Sequence, residues 1–248
     1  MRKEQGIVAG VVLCALWLAV PDAVFGQATI TADGRKLYAL LDCQDDSGSS
    51  SWGPTTWTPG SIGAAFNQTL EYHGISPGAE VHADGIAVQS SSLNGSTDFT
   101  SLTASGSAYG FANNTGFGTA NNGYANVESY FFVTFQIATA QDYTLTGSLS
   151  RDSVSGPSVR LRLRPLGGAD IHYSIVAGAF DYQGTLQPGS YELQARAVSL
   201  YNGSSYYNRT ASYDNVTFTL VPEPSALALL ALGLPLLRRS RVRCGSMG

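Results

Sequence analysis

Between residues 28 and 220 apolar and polar side chains alternate in short runs, each closed by a turn signal. The clearest run is Ser158 to Arg164, with Val159, Leu161 and Leu163 on one side and Arg160, Arg162 and Arg164 on the other. A period of two is that of a strand with one face buried and one wet. Tyr191, Leu193, Ala195 and Ala197 repeat it against Glu192, Gln194 and Arg196. So do Tyr143, Leu145 and Leu149, and then Val216, Phe218 and Leu220 against Asn215, Thr217 and Thr219. The run from Tyr130 to Ile137 begins apolar on both sides, which predicts a central strand. Asp152 to Pro157, Gly167-Gly168 and Gln187-Pro188-Gly189 punctuate these runs as turns. No amphipathic helical period interrupts them. Many strands at short spacing predict an all-β, antiparallel β-sandwich of jelly-roll type spanning residues 27–220. The first half is less regular, and residues 45–63 and 113–123 read as Ser, Gly, Thr and Asn-rich loops.

The two ends follow another pattern. Arg2 and Lys3 precede an uncharged, mostly apolar run from Ile7 to Val20, which Pro21 ends. This is the order of a secretory signal over residues 1–26, with cleavage before Gln27 or, alternatively, after Ala28. At the other end Val221 leads into Pro222-Glu223-Pro224, then an apolar stretch from Ser225 to Leu237, then Arg238, Arg239, Arg241 and Arg243. A short hydrophobic helix is expected in each terminal segment, with a five-residue tail over 244–248. As a helix the C-terminal stretch would reach about 20 Å against a hydrocarbon core near 30 Å. It suits a transient membrane signal better than a lasting anchor. The arginines would stay on the cytoplasmic side.

Composition sharpens the division. Only 13% of residues are charged, and good helix formers are scarce between the termini. From Gln27 to Val221 there are 8 Lys+Arg against 15 Asp+Glu, a net of −7 that argues against nucleic acid as a partner. Once both ends are set aside, Cys43 is the lone cysteine, so the domain holds no internal disulfide and must be stabilised by its core.

The Pro-Glu-Pro motif, apolar segment and arginine cluster over residues 221–243 together resemble the PEP-CTERM sorting signal of Gram-negative bacteria and planctomycetes. That resemblance implies export by the secretion machinery and processing by an exosortase-type membrane enzyme. It further implies a place at the cell surface or in the extracellular matrix, with exopolysaccharide as neighbour. The order Phe131 to Ile137, Tyr143-Thr-Leu-Thr-Gly147 and Leu186-Gln-Pro-Gly-Ser-Tyr-Glu-Leu193 is similar to galactose-binding-like and carbohydrate-binding-module sandwiches.

Candidate chemistry is sparse. Trp52 and Trp57 lie in the first polar stretch and offer flat faces for stacking on a sugar ring, or else fold back to cap the core. Tyr206 and Tyr207, in a Tyr-rich segment with Tyr201 and Tyr213, form a second aromatic and polar candidate. Asp42, Asp45 and Asp46 crowd oxygen ligands as Ca²⁺ requires, although their spacing departs from the EF-hand pattern and equally suits a solvated acidic turn. The three histidines, His73, His82 and His172, show no zinc spacing; His82 and Asp84 form a close His–carboxylate pair in sequence. No nucleophile elbow or phosphate-binding loop is present. The sparse chemistry predicts a non-enzymatic surface protein, and the resemblance to the sorting signal implies its association with exopolysaccharide. The alternative is a secreted carbohydrate-active enzyme using a carboxylate pair that only the fold can bring together.

Overall fold

The computed structural model describes residues 27–78, 81–93, 97–114, 121–152, 156–203 and 207–221, without the side chains of residues 114 and 207. Both terminal segments, with the expected export signal, helices and sorting motif, lie outside the described residues. Within them there is no helix, and the chain forms two antiparallel sheets.

The first sheet contains β1 (Ala28–Asp33), β2 (Lys36–Asp45), β3 (Gly48–Trp57), β6 (Asp98–Phe99), β8 (Asn122–Ile137), β10 (Ser158–Pro165), β11 (His172–Ser174) and β13 (Gly189–Gly203). The second contains β4 (Phe66–Ile75), β5 (Val81–Ser92), β7 (Ser101–Asn114), β9 (Gln141–Arg151), β12 (Gly178–Leu186) and β14 (Tyr207–Val221). Their spatial orders are β11-β10-β13-β8-β1-β6 and β12-β9-β14-β7-β5-β4. From β7 to β10, and again from β12 to β14, successive strands change sheet. The doubly apolar run is the interior of β8, which pairs with β13 along one edge and with β1 and β2 end to end along the other.

The two inner faces make a sandwich-like core with unequal halves. One is aromatic. Phe135 meets Phe99 edge-on at 5.5 Å, Phe218 at 5.3 Å and Tyr191 at 5.8 Å between ring centroids. Each such side chain, once buried, contributes about 1.5–3 kcal/mol by leaving water. The other half carries more small groups. Leu41, Cys43, Val81, Ala83, Ala112, Ala125 and Tyr201 form it, with Trp52 and Tyr72 against its side. Strand β7 faces inward with Leu102, Ala104, Gly106, Ala108, Gly110 and Ala112, so the sheets approach closely there. A Cβ on Gly106 would fall 2.2 Å from Ser129 Oγ and 2.4 Å from Tyr213 Oη. Where the sheets come this near, hydroxyls tie them together. Ser129 Oγ donates to the Val88 carbonyl at 2.8 Å and lies 3.1 Å from Tyr213 Oη; Ser199 Oγ donates to the Arg209 carbonyl at 2.9 Å.

A buried cation holds the joint between β1 and β2. Arg35 is fully enclosed, and its guanidinium donates to Asp33 through Nε at 2.8 Å and Nη2 at 2.6 Å. It also reaches Ser91 Oγ on β5 at 2.9 Å and the Ala64 carbonyl at 2.6 Å. One side chain therefore links the kink in the first sheet, the second sheet and the loop before β4. The chain bends again on β14, where Asn215 adopts a φ of 51° and the pairing shifts between Tyr213 and Val216. An amide side chain tolerates that left-handed backbone better than most, as a bulge requires.

One expected loop is structured. Much of residues 45–63 is the edge strand β3, paired with β2 from Gly48↔Asp45 to Trp57↔Leu37. Its side chains are small and polar because an edge strand with little to bury needs no apolar alternation.

Candidate functional site

The two tryptophans part company once β3 is seen as a strand. Trp52 is half-buried; its ring lies over Gly74, where a Cβ would sit 2.7 Å from the indole, and close to Cys43. Glycine at position 74 leaves the space the ring fills, and Trp52 serves as a lid on the small-residue half of the core. Trp57 stays 41% exposed. With Thr58, Pro59, Gly60, Ala65, Phe66 and Gln68 it lines an open depression of about 380 Å³ at the rim where β3 and β4 face each other. Its lining combines an aromatic face, an apolar floor, a hydroxyl and a side-chain amide, with no charged group. That is a suitable lining for a neutral sugar ring, whose C–H face stacks while its hydroxyls hydrogen-bond.

The structure does not bring Asp42, Asp45 and Asp46 together. Asp42 points outward from β2, whereas Asp45 turns inward and is 3% exposed. The Asp45 carboxylate accepts from Ser47 N at 2.8 Å, from Ser76 Oγ at 2.6 Å and from Gly78 N at 2.6 Å. It pins the β2–β3 turn to the β4–β5 turn, and its oxygens are already engaged by protein donors. Asp46 is exposed in the turn itself. Among the described residues no three His, Cys, Asp or Glu side chains gather as a metal site would need. Tyr206 lies outside the described residues; Tyr207 opens β14, and its side chain is not among those described.

Asp84 pairs with His73 across the strands rather than with His82. His73 on β4, opposite Asp84 on β5, contacts it at 2.9 Å and Glu71 at 3.1 Å. These acids, Asp84 first, raise the imidazole's affinity for a proton. The trio sits on the solvent face of the second sheet, His73 being 67% exposed in its side chain. His172 on β11 is stacked on Tyr182 at 4.2 Å and lies 2.6 Å from Tyr143 Oη. Burial lowers its pKa below that of an ordinary imidazole, which disfavours the charged ring. Cys43 is fully enclosed, and burial pushes its thiol up to about 12, away from nucleophilic chemistry.

The solvent face of the first sheet carries arginines that in sequence look only like the wet side of strands. The registers align them with aromatic residues. Arg160 on β10 is opposite Arg196 on β13, Arg196 opposite Tyr130 on β8, and Tyr130 opposite Lys36 on β2. The next rung is Arg162, Gln194 and Phe132, and the one after it Arg164, Glu192 and Thr134. Tyr130 and Phe132 stack at 5.7 Å with their planes 12° apart, and Lys36 Nζ lies 5.3 Å over the Tyr130 ring. Arg196 grips Glu128 through two bonds of 2.9 and 3.0 Å. Arg164 holds Glu192, and Arg162 holds Asp170 at 2.5 Å. The alternating β10 pattern signals such a face, but only the pairing shows which neighbours share it.

No protein-family model and no curated protein matches the chain.

Proposed function

We propose that the chain is an exported protein of the cell surface or extracellular matrix, delivered by its N-terminal signal, sorted through residues 221–243, and associated without catalysis with exopolysaccharide. In this reading an exosortase-type enzyme acts on the Pro222-Glu223-Pro224 tail, and Arg238, Arg239, Arg241 and Arg243 hold the stretch at the inner membrane during processing. The strand order supports a jelly-roll-like sandwich. Strand β13 inserts between β8 and β10, while β12 pairs with β9, so chain segments nest in facing pairs across the two sheets. The observation that carries the glycan part is Trp57, a large aromatic side chain left 41% exposed over an uncharged depression while Trp52 is spent on the core.

The test compares Trp57→Ala with Trp52→Ala for retention on the host's extracellular polysaccharide and for melting temperature. Trp57→Ala is expected to lose retention with little change in melting. Trp52→Ala is expected to lower the melting temperature. Equal retention by Trp57→Ala and the unaltered protein would remove the depression from the binding reading. Replacing the four C-terminal arginines by Ala is expected to misroute the protein; unchanged fractionation would count against the sorting role.

A further inference from the structure

We infer that the solvent face formed by β10, β13, β8 and β2 binds an acidic polysaccharide, with Arg160 and Arg196 taking its anionic groups and Tyr130 and Phe132 its sugar faces. The inference rests on the glycan reading above and adds a second surface with its own charge preference.

Folding alone does not favour one pairing on this face. Arg160 and Arg196 stand directly opposite each other on neighbouring strands, and like charges so placed destabilise a sheet. Arg196 is oriented by Glu128. Among the described residues Arg160 has no ion pair. A carboxylate or sulfate beside Arg160 would offset that like-charge juxtaposition and accept the paired N–H donors that suit such groups, since Arg196 already gives Nε and Nη2 to Glu128.

The surroundings extend this point into a surface. Five of the eight cations in the Gln27–Val221 stretch, Lys36, Arg160, Arg162, Arg164 and Arg196, project from this one face of a domain whose net charge is −7. Its acids are already committed. Glu128 serves Arg196 and Lys36, Glu192 serves Arg164 and Arg162, and Asp170 serves Arg162. None of these acids forms an ion pair with Arg160. The rung from Arg160 to Lys36 crosses four strands, roughly 14 Å at the ordinary strand spacing, with Tyr130 in its path. Phe132 extends the aromatic surface into the next rung.

A short run of a polyanion therefore meets cation, cation, aromatic ring and cation in turn. An acidic glycan matches this alternation because each ring carries both an apolar face and an isolated charge. A duplex with its dense phosphates would gain at the rung but be repelled by the rest of an acidic domain.

The experiment measures binding of the purified full chain to polygalacturonate, dextran sulfate, uncharged dextran and single-stranded DNA at low and high salt. The proteins compared are the unaltered chain, Arg160→Gln, Arg160→Lys and Trp57→Ala. Polygalacturonate is expected to bind, to weaken with salt, and to lose about tenfold in affinity in Arg160→Gln. Arg160→Lys is expected to recover part of that loss. The melting temperature of Arg160→Gln should hold or rise, because a repulsion has been removed, which separates binding from a structural role. Dextran sulfate behaving likewise would support the proposal with sulfate as the anion. Uncharged dextran retained through Trp57, with Arg160→Gln indifferent, would overturn this inference and leave the glycan reading standing. No polysaccharide retained would sink both. A preference for single-stranded DNA through Arg160 would replace the acidic glycan with a nucleic acid.

Discussion

Arg35 offers the most direct test of how the two sheets are joined. Its guanidinium makes four side-chain hydrogen bonds to Asp33, Ser91 and the Ala64 carbonyl, with the Arg35 and Asp33 side chains 0% and 2% exposed. Arg35→Met keeps a long apolar stem near Phe66 but leaves the Asp33 carboxylate buried without its cation. Breaking one partner of a buried ion pair costs about 3–5 kcal/mol. At about 2–4 °C per kcal/mol for a domain of this size, melting should fall by about 6–20 °C. Asp33→Leu alone should cost a similar amount, because it strands the guanidinium. Combining the two removes both charges together, so the double variant should cost less than the sum of the singles by about 1–3 kcal/mol. Urea unfolding of the four proteins gives the cycle. The losses should also persist at high salt, since buried charges are weakly screened. Single-variant costs below about 1 kcal/mol, or strict additivity, would refute the claim that one buried pair closes the β1–β2 joint.

Four further outcomes follow from the same geometry. Gly106→Ala places a methyl against Ser129 and Tyr213 and should cost about 1–3 kcal/mol in urea unfolding, whereas Gly60→Ala, in open space, should cost far less. Cys43 should resist a thiol reagent in the folded protein and react once urea unfolds it; rapid labelling of the native state would contradict its enclosure. His172 takes a proton more readily unfolded than folded, so its contribution to stability is present above about pH 6.5 and is lost as pH falls toward its lowered folded value. Melting curves between pH 5 and 7.5 should accordingly fall more steeply for the unaltered protein than for His172→Gln, and parallel curves would refute the assignment. Calcium should leave the melting temperature unchanged, because Asp45 is occupied by protein donors and Asp42 faces away; a clear rise reversed by EDTA would revive a site there.

The sequence made strands legible wherever large apolar and polar residues alternate. β10, β13, β9 and the end of β14 carry Leu, Val, Phe or Tyr on one side, and the structure buries that side. β7 has the same period, but its inward residues are mostly Ala and Gly. A small side chain signals little hydrophobicity while fitting a place where two sheets nearly touch. β3 hid for a different reason. It pairs through backbone with a single neighbour and buries no side chain fully, with Ser50, Trp52 and Thr55 only partly covered, so its Ser and Thr residues look like a loop. Backbone pairing at a sheet edge leaves no periodic mark in the side chains.

The same limit governs the candidate surfaces. Trp52 and Trp57 are five residues apart and identical in type, and what separates their roles is what lies opposite them. Gly74 makes a socket for one, while an open rim leaves the other uncovered. On the outer face, Arg160 and Arg196 are far apart in sequence and belong to strands that each look ordinarily amphipathic. Register alone sets them side by side, and a slip of β10 by one residue would turn Arg160 toward the core. Leu161, Ala195, Phe131 and Leu37 must be buried for the fold to exist, and alternation then forces Arg160, Arg196, Tyr130 and Lys36 outward. Core packing thus fixes the position of a cationic and aromatic rung that the packing itself does not need. If that rung binds an anion, changing Arg160 alters recognition while leaving the buried partners of every neighbouring residue intact.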